Sequence, residues 1–96
     1  MNAIEHTGAR LVKGSAVVSN RPYLLYGFVV IASADGGSAT LYARQDAVSE
    51  ASLGTYPALA NSPTVVMLPR PALLDLGLYV SVGANVAGVL IVGEPL

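Results

Sequence analysis

The side chains able to do chemistry are few. His6 is the single histidine among 96 residues. A Ser-His-Asp triad would need it held rigidly beside a serine and a carboxylate, and no GxSxG elbow is present to offer the nucleophile. Its place in the chain points instead to a solvated N-terminal arm. The six acidic residues are Glu5, Asp35, Asp46, Glu50, Asp75 and Glu94. Asp46 and Glu50 stand four apart, but a glycosidase pair needs two carboxyls facing each other across a substrate cleft. On a short turn they form a solvated face. Asp35 belongs to Asp35-Gly36-Gly37, where turn chemistry accounts for it. No DxDxDG run gathers oxygens for calcium, so a metal would have to be held between subunits. Gly36-Gly37 has neither the spacing of a phosphate cradle nor a following helix. Zero cysteines exclude a disulfide scaffold, a thiolate zinc site and a cysteine nucleophile. The expectation is a non-enzyme with no catalytic, cofactor or metal-binding set.

The remaining polar and aromatic residues are suited to contact. The five tyrosines (23, 26, 42, 56 and 79) and Phe28 are the whole aromatic complement. Tyr23 and Tyr26 are three apart on an expected strand and so face opposite sides, which breaks a flat stacking platform. Such residues commonly pack at the rim of a core or an interface, with the hydroxyl reaching outward. Arg10, Arg21, Arg44 and Arg70 fall at strand edges or turns. Arginine is enriched at subunit contacts and lysine depleted, and Lys13 is the single lysine. The expected contact residues are Arg10, Arg21, Tyr23, Tyr26, Phe28, Arg44, Tyr56, Arg70 and Tyr79.

The elements that position them read as strands. Residues 1–9 show no periodicity and form the expected arm, with a single β domain over 10–96. Residues 11–18 are β-branched and end at the turn cluster Ser19-Asn20-Arg21-Pro22. Pro22 lacks an N–H and belongs at the start of the next strand. That strand, Tyr23 to Ala32, is apolar on both faces, as a strand covered by a second sheet or a neighbouring subunit would be. Asp35-Gly36-Gly37 then predicts a hairpin pairing 22–33 with 38–44. Residues 45–62 carry one helical turn at 45–51 and a short edge strand at 53–57. A further strand covers 63–68 and is closed by Pro69-Arg70-Pro71. Ala72 to Leu76 is an extended link. Strands over 77–83 and 86–92 follow, joined at Ala84-Asn85. The sum is six or seven strands of an all-β, antiparallel sandwich or barrel, jelly-roll-like, with no sustained helix.

Composition narrows the class further. Hydrophobic residues make up 53 % of the chain and charged residues 11 %, less than half the charge of an average soluble chain, about 25 %. That excludes disorder. A net charge of −1 argues against a nucleic-acid partner, which calls for a basic patch. The richest apolar stretch, Pro22 to Ala32, is about half of the roughly 20 residues a membrane-spanning helix needs. The N-terminal MNAIEHTGAR lacks the apolar segment of a signal peptide. The reading is a soluble protein, made in the cytoplasm, that hides part of its apolar surface against copies of itself or a large partner.

From Arg10 to Val92 the chain resembles small β-rich structural proteins of tailed-bacteriophage virions. The resemblance lies in LVKGSAVVSNRPYLLYGFVVIASADGGSATLY, where a strand, an arginine-led turn, an apolar strand with Gly27 and a Gly-rich turn precede Leu41-Tyr42. It continues in Gly77-Leu78-Tyr79-Val80, a Gly-Ala turn and a short Val-rich strand. It departs after Leu41-Tyr42, where Ala43-Arg44-Gln45-Asp46 replaces the usual Asp and Gly- or Ser-rich loop. The resemblance implies a capsid decoration (cement) protein located in the virion, often trimeric, bound to the major capsid protein or another virion protein. A tail or head–tail connector accessory shares that chemistry. A receptor- or glycan-binding β-module would instead use Tyr23, Tyr56 or Tyr79 on an exposed loop face.

Overall fold

The computed structural model describes residues 9–47 and 49–96. The expected arm and His6 therefore lie outside the described residues, except that Ala9 is the first residue of a strand. Eight strands follow in order: β1 (Ala9–Val12), β2 (Ala16–Ser19), β3 (Tyr23–Ala32), β4 (Gly37–Tyr42), β5 (Ser52–Ala58), β6 (Thr64–Leu74), β7 (Leu78–Val82) and β8 (Val86–Pro95). One 3-10 turn, Ser49–Ala51, precedes β5.

The strands form two four-stranded antiparallel sheets, β1-β8-β3-β6 and β2-β7-β4-β5. Pairing runs from the outside of the chain inward: β1 with β8, β2 with β7, β3 with β6, and β4 with β5. Two further pairings, β3 with β8 and β4 with β7, knit these ribbons into sheets. This is the order of a jelly roll, an antiparallel ribbon rolled into a sandwich. The all-β sandwich expected from the sequence is present, with eight strands rather than six or seven.

The extra strand comes from the segment 11–18. Lys13-Gly14-Ser15 turns a corner there, and β1 and β2 enter different sheets. The hairpin expected between 22–33 and 38–44 does not form. β3 lies between β8 and β6, so both of its hydrogen-bonding edges are taken, and β4 joins the opposite sheet. The Gly-rich turn is an arch from one sheet to the other. Its backbone is satisfied by a second arch, between β7 and β8: Ser33 N–H donates to the Asn85 carbonyl (2.9 Å), and Asn85 Nδ2 donates to the Asp35 carbonyl (3.2 Å). Asn85 makes this possible by adopting φ 64°, a left-handed conformation that asparagine tolerates.

β6 also departs from expectation. It does not end at Leu68 but runs on to Leu74. Leu25 pairs with Ala72 and Gly27 with Met67, so residues 68–71 loop out opposite Tyr26 and the strand then resumes. Pro69 and Pro71 cannot donate to a ladder, and an edge strand is where that is tolerated. The expected edge strand at 53–57 is β5, at the edge of its sheet.

Between the sheets sit Val30, Val89 and Ile91 from one side and Leu41, Leu78 and Val80 from the other, all fully buried. Each such side chain contributes about 1.5–3 kcal/mol on leaving water. Phe28 packs edge-on against Tyr56 (centroids 4.8 Å, interplanar angle 67°), joining β3 to β5 across the sandwich.

Candidate interaction surface

Alternation along a strand sends neighbouring side chains to opposite faces, so the core positions identify the outward ones. In β3 the inward residues are Tyr23, Leu25, Phe28, Val30 and Ala32. The phase changes between Leu25 and Phe28 because a bulge at Tyr26 breaks the register there, as an extra residue in one strand does. Leu24, Tyr26, Val29 and Ile31 consequently face outward and are half-buried.

Register then aligns the outward residues of the β1-β8-β3-β6 sheet into rows. Leu11, Leu90, Val29 and Val65 form one row across all four strands. Ala9, Val92, Gly27 and Met67 form the next. Glu94, Leu24 and Leu73 form a third at one end. Gly27 leaves room for the neighbouring strand, since a Cβ there would lie 2.5 Å from the Val66 carbonyl and 2.7 Å from the Met67 methyl. The face spans four strands and about seven residues of length, roughly 19 by 23 Å or on the order of 440 Å². On the edge strand its side chains are well exposed: Val65 61 %, Met67 53 % and Leu73 54 %. A contiguous apolar patch of this size is as large as monomeric proteins usually expose.

Among the described residues, the one polar feature on that face is at its end. The Tyr26 hydroxyl donates to Glu94 Oε2 at 2.6 Å, the short distance of a hydrogen bond to an ionised acceptor. This bond holds the Tyr26 phenol above its ordinary value, with desolvation and the carboxylate charge adding in the same sense. Tyr23, on the inner side, is also raised, chiefly by burial; the Arg10 charge opposes this and Glu94 reinforces it.

The outer face of the other sheet differs in kind. Ser81, Thr40 and Thr55 form one row across it, with Thr40 Oγ1 and Thr55 Oγ1 hydrogen-bonded at 2.7 Å. Tyr79 and Tyr42 lie side by side in the next row, ring centroids 6.1 Å apart. This face offers hydroxyls to water beside the exposed Val17. The β1-β8-β3-β6 face offers almost none.

The structure sorts the residues expected at contacts. Tyr23 and Phe28 are 6 % and 3 % exposed and pack in the chain's own core, because the parity of β3 turns both inward. Tyr56 turns its ring onto Phe28 and donates its hydroxyl to the Leu53 carbonyl at 2.6 Å. Tyr79 is on the outer face of β7, so Tyr23, Tyr56 and Tyr79 share no loop face. Arg10 Nη1 donates to the Val18 carbonyl at 2.9 Å, strapping β1 to β2 across the sandwich. Arg44 is 3.6 Å from Asp46, both exposed, an arrangement worth little in water. Arg21 lies in the β2–β3 turn and Arg70 in the β6 excursion, both exposed. Tyr26 alone of the expected tyrosines is on the apolar face.

Sequence reading missed Leu11, Val65, Met67, Leu73, Leu90, Val92 and Glu94 as surface residues. A signal was there: Val65 to Leu68 and Val89 to Val92 are unbroken apolar runs, as β3 is, and a run without alternation marks a strand to be covered twice.

A shallow open groove of about 250 Å³ is lined by Pro57, Ala58, Leu59, Ser62 and Thr64, and none of these is titratable in the physiological range. Among the described residues no cluster of three or more metal-ligating side chains occurs, and no helix is long and apolar enough to cross a membrane. Compared with known proteins, the chain matches no family model, no curated protein and no solved structure.

Proposed function

We propose that this protein is a non-enzymatic structural subunit of a tailed-bacteriophage virion, a capsid decoration (cement) protein that associates with itself and seats on the major capsid protein. The observation that supports this reading is the row Leu11, Leu90, Val29 and Val65, apolar across every strand of one sheet. Water-exposed sheets normally alternate apolar with polar positions. A sheet apolar on both faces stabilises an assembly in which the second face is covered.

A cement protein acts by burial. Each contact on a shell contributes modest free energy, and repetition over a lattice converts this into tight retention by avidity. The trimer implied by the resemblance is one closed form such a subunit can take. A tail or head–tail connector role would use the same surface and would differ in copy number and position.

The test is addition of the purified protein to shells of its phage assembled without it. Resistance to heat and osmotic shock is expected to rise, with the protein bound at many copies per shell. Unchanged resistance would refute the stabilising role, and binding restricted to a few copies at one vertex would move the assignment to the tail or connector.

A further inference from the structure

We infer that the apolar face of the β1-β8-β3-β6 sheet binds a second copy of this chain, the β6 side of one copy lying on the β8–β1 side of the next so that Arg70 meets the neighbour's Glu94. This names the partner of the surface on which the virion reading rests and deepens that reading.

Two observations choose the partner. The first is charge. Glu94 on β8 is the one carboxylate on the face among the described residues, and Arg70 stands in the β6 excursion opposite Tyr26, at the same end. They are two strand spacings apart, roughly 10 Å, and do not pair within the chain. The ion pair among the described residues is Arg44 with Asp46, and the Arg10 guanidinium is already bound to Val18. Covering Glu94 with apolar surface alone would strand a charge at a cost of several kcal/mol. A partner that brings a cation to that end is therefore favoured over one that is apolar throughout. A second copy brings Arg70 there, together with an equally apolar surface for the remaining rows.

The second is area. A footprint on the order of 440 Å² per copy gives roughly 900 Å² for a closed dimer before any rim, in the range of weak, transient interfaces. Association is thus expected to be reversible and dependent on concentration. Reciprocated about a twofold axis the contact closes as a dimer with two Arg70–Glu94 pairs; repeated head to tail it closes as a ring, a trimer included, with one pair per contact.

The experiment measures absolute mass by light scattering and sedimentation on the purified full chain, across roughly 1–200 µM, a range suited to an interface of this size. It compares wild type, Glu94→Arg, Arg70→Glu, the double charge swap, and Val65→Lys. Circular dichroism confirms that each variant is folded. The wild type is expected to form a discrete oligomer. Each single charge reversal is expected to weaken association by about 10–100-fold, in the range of disrupted charge pairs at interfaces. The double swap is expected to recover most of that loss, and Val65→Lys to abolish association. A monomeric wild type at the highest concentration would overturn the inference and leave the face to a shell protein. An oligomer indifferent to Val65→Lys, or a double swap that recovers nothing, would overturn it equally. No shells enter the measurement, so its failure is separable from failure of the stabilising role.

Discussion

Leu73 and Leu78 have the same side chain on opposite sides of the fold, and their truncation measures how the sheets are packed. Leu78 is 0 % exposed between the sheets, whereas Leu73 is 54 % exposed on the outer face of β6. Leu→Ala in a core costs about 2–5 kcal/mol, the larger values where neighbours cannot collapse into the cavity. Leu78 is fully buried on β7, a strand paired on both edges, so Leu78→Ala is expected to cost about 3–5 kcal/mol. For a domain near 100 residues that lowers Tm by at least about 12 °C, at about 4–8 °C per kcal/mol. Leu73→Ala removes a side chain already half in water and is expected to cost about 1 kcal/mol or less in the monomer. Urea unfolding at about 1 µM and about 100 µM protein separates monomer stability from association, because only a state that binds copies gains stability with concentration. At the lower concentration the two variants should differ by at least about 2 kcal/mol. At the higher one Leu73→Ala should lose part of the wild type's concentration-dependent gain. Equal costs at about 1 µM would refute the reasoning, since they would mean that β6 or β7 is slipped by one residue and its faces exchanged.

Two further outcomes follow from single interactions. The Tyr26 phenol donates to Glu94 only while protonated, and its pKa is raised above 10.0. Its contribution to stability is therefore present below pH 10 and lost as pH rises through the folded-state value. In an ultraviolet titration Tyr26→Phe should remove a phenol that ionises above the ordinary tyrosine value; loss of a phenol that ionises at or below that value would contradict this. Gly77 has φ 105°, and a Cβ there would press on the Ser19 backbone carbonyl, whereas a Cβ at Gly14 meets nothing within 4 Å. Gly77→Ala is expected to cost more than about 2 kcal/mol, and Gly14→Ala to stay within about 1 kcal/mol of wild type, both read from urea midpoints. A Gly77→Ala variant as stable as the wild type would rule out the described close approach of the β6–β7 turn to β2.

Much of the fold was legible because β-rich segments advertise themselves locally. Tyr23 to Ala32 is apolar throughout and bounded by Pro22 and a Gly-rich turn, and the strand occupies those bounds. The segments at 53–57, 77–83 and 86–92 likewise hold β5, β7 and β8. The hairpin was misread because Asp35-Gly36-Gly37 specifies that the chain reverses, not whether it reverses within a sheet. The deciding partners, β6 and β8, lie more than thirty residues away. The split at Gly14 left no local mark, since both halves of 11–18 remain β-branched.

The contact residues divide by the same rule. Phe28 and Tyr23 turn inward because a side chain's face depends on strand phase, and the bulge at Tyr26 resets that phase midway along β3. Met67, Leu73 and Glu94 were passed over because they become a surface only when register lines β6 and β8 up beside β3. The sequence by itself determined the class of structure, the scarcity of groups able to do chemistry, and an excess of apolar side chains beyond what alternation needs. These are properties of composition and of nearest neighbours. Only the tertiary structure decided which apolar face is the core, which is left bare, and that Glu94 and Arg70 stand at the same end of the bare one. Those outcomes belong to pairings between distant strands, whose energies no local stretch of chain contains.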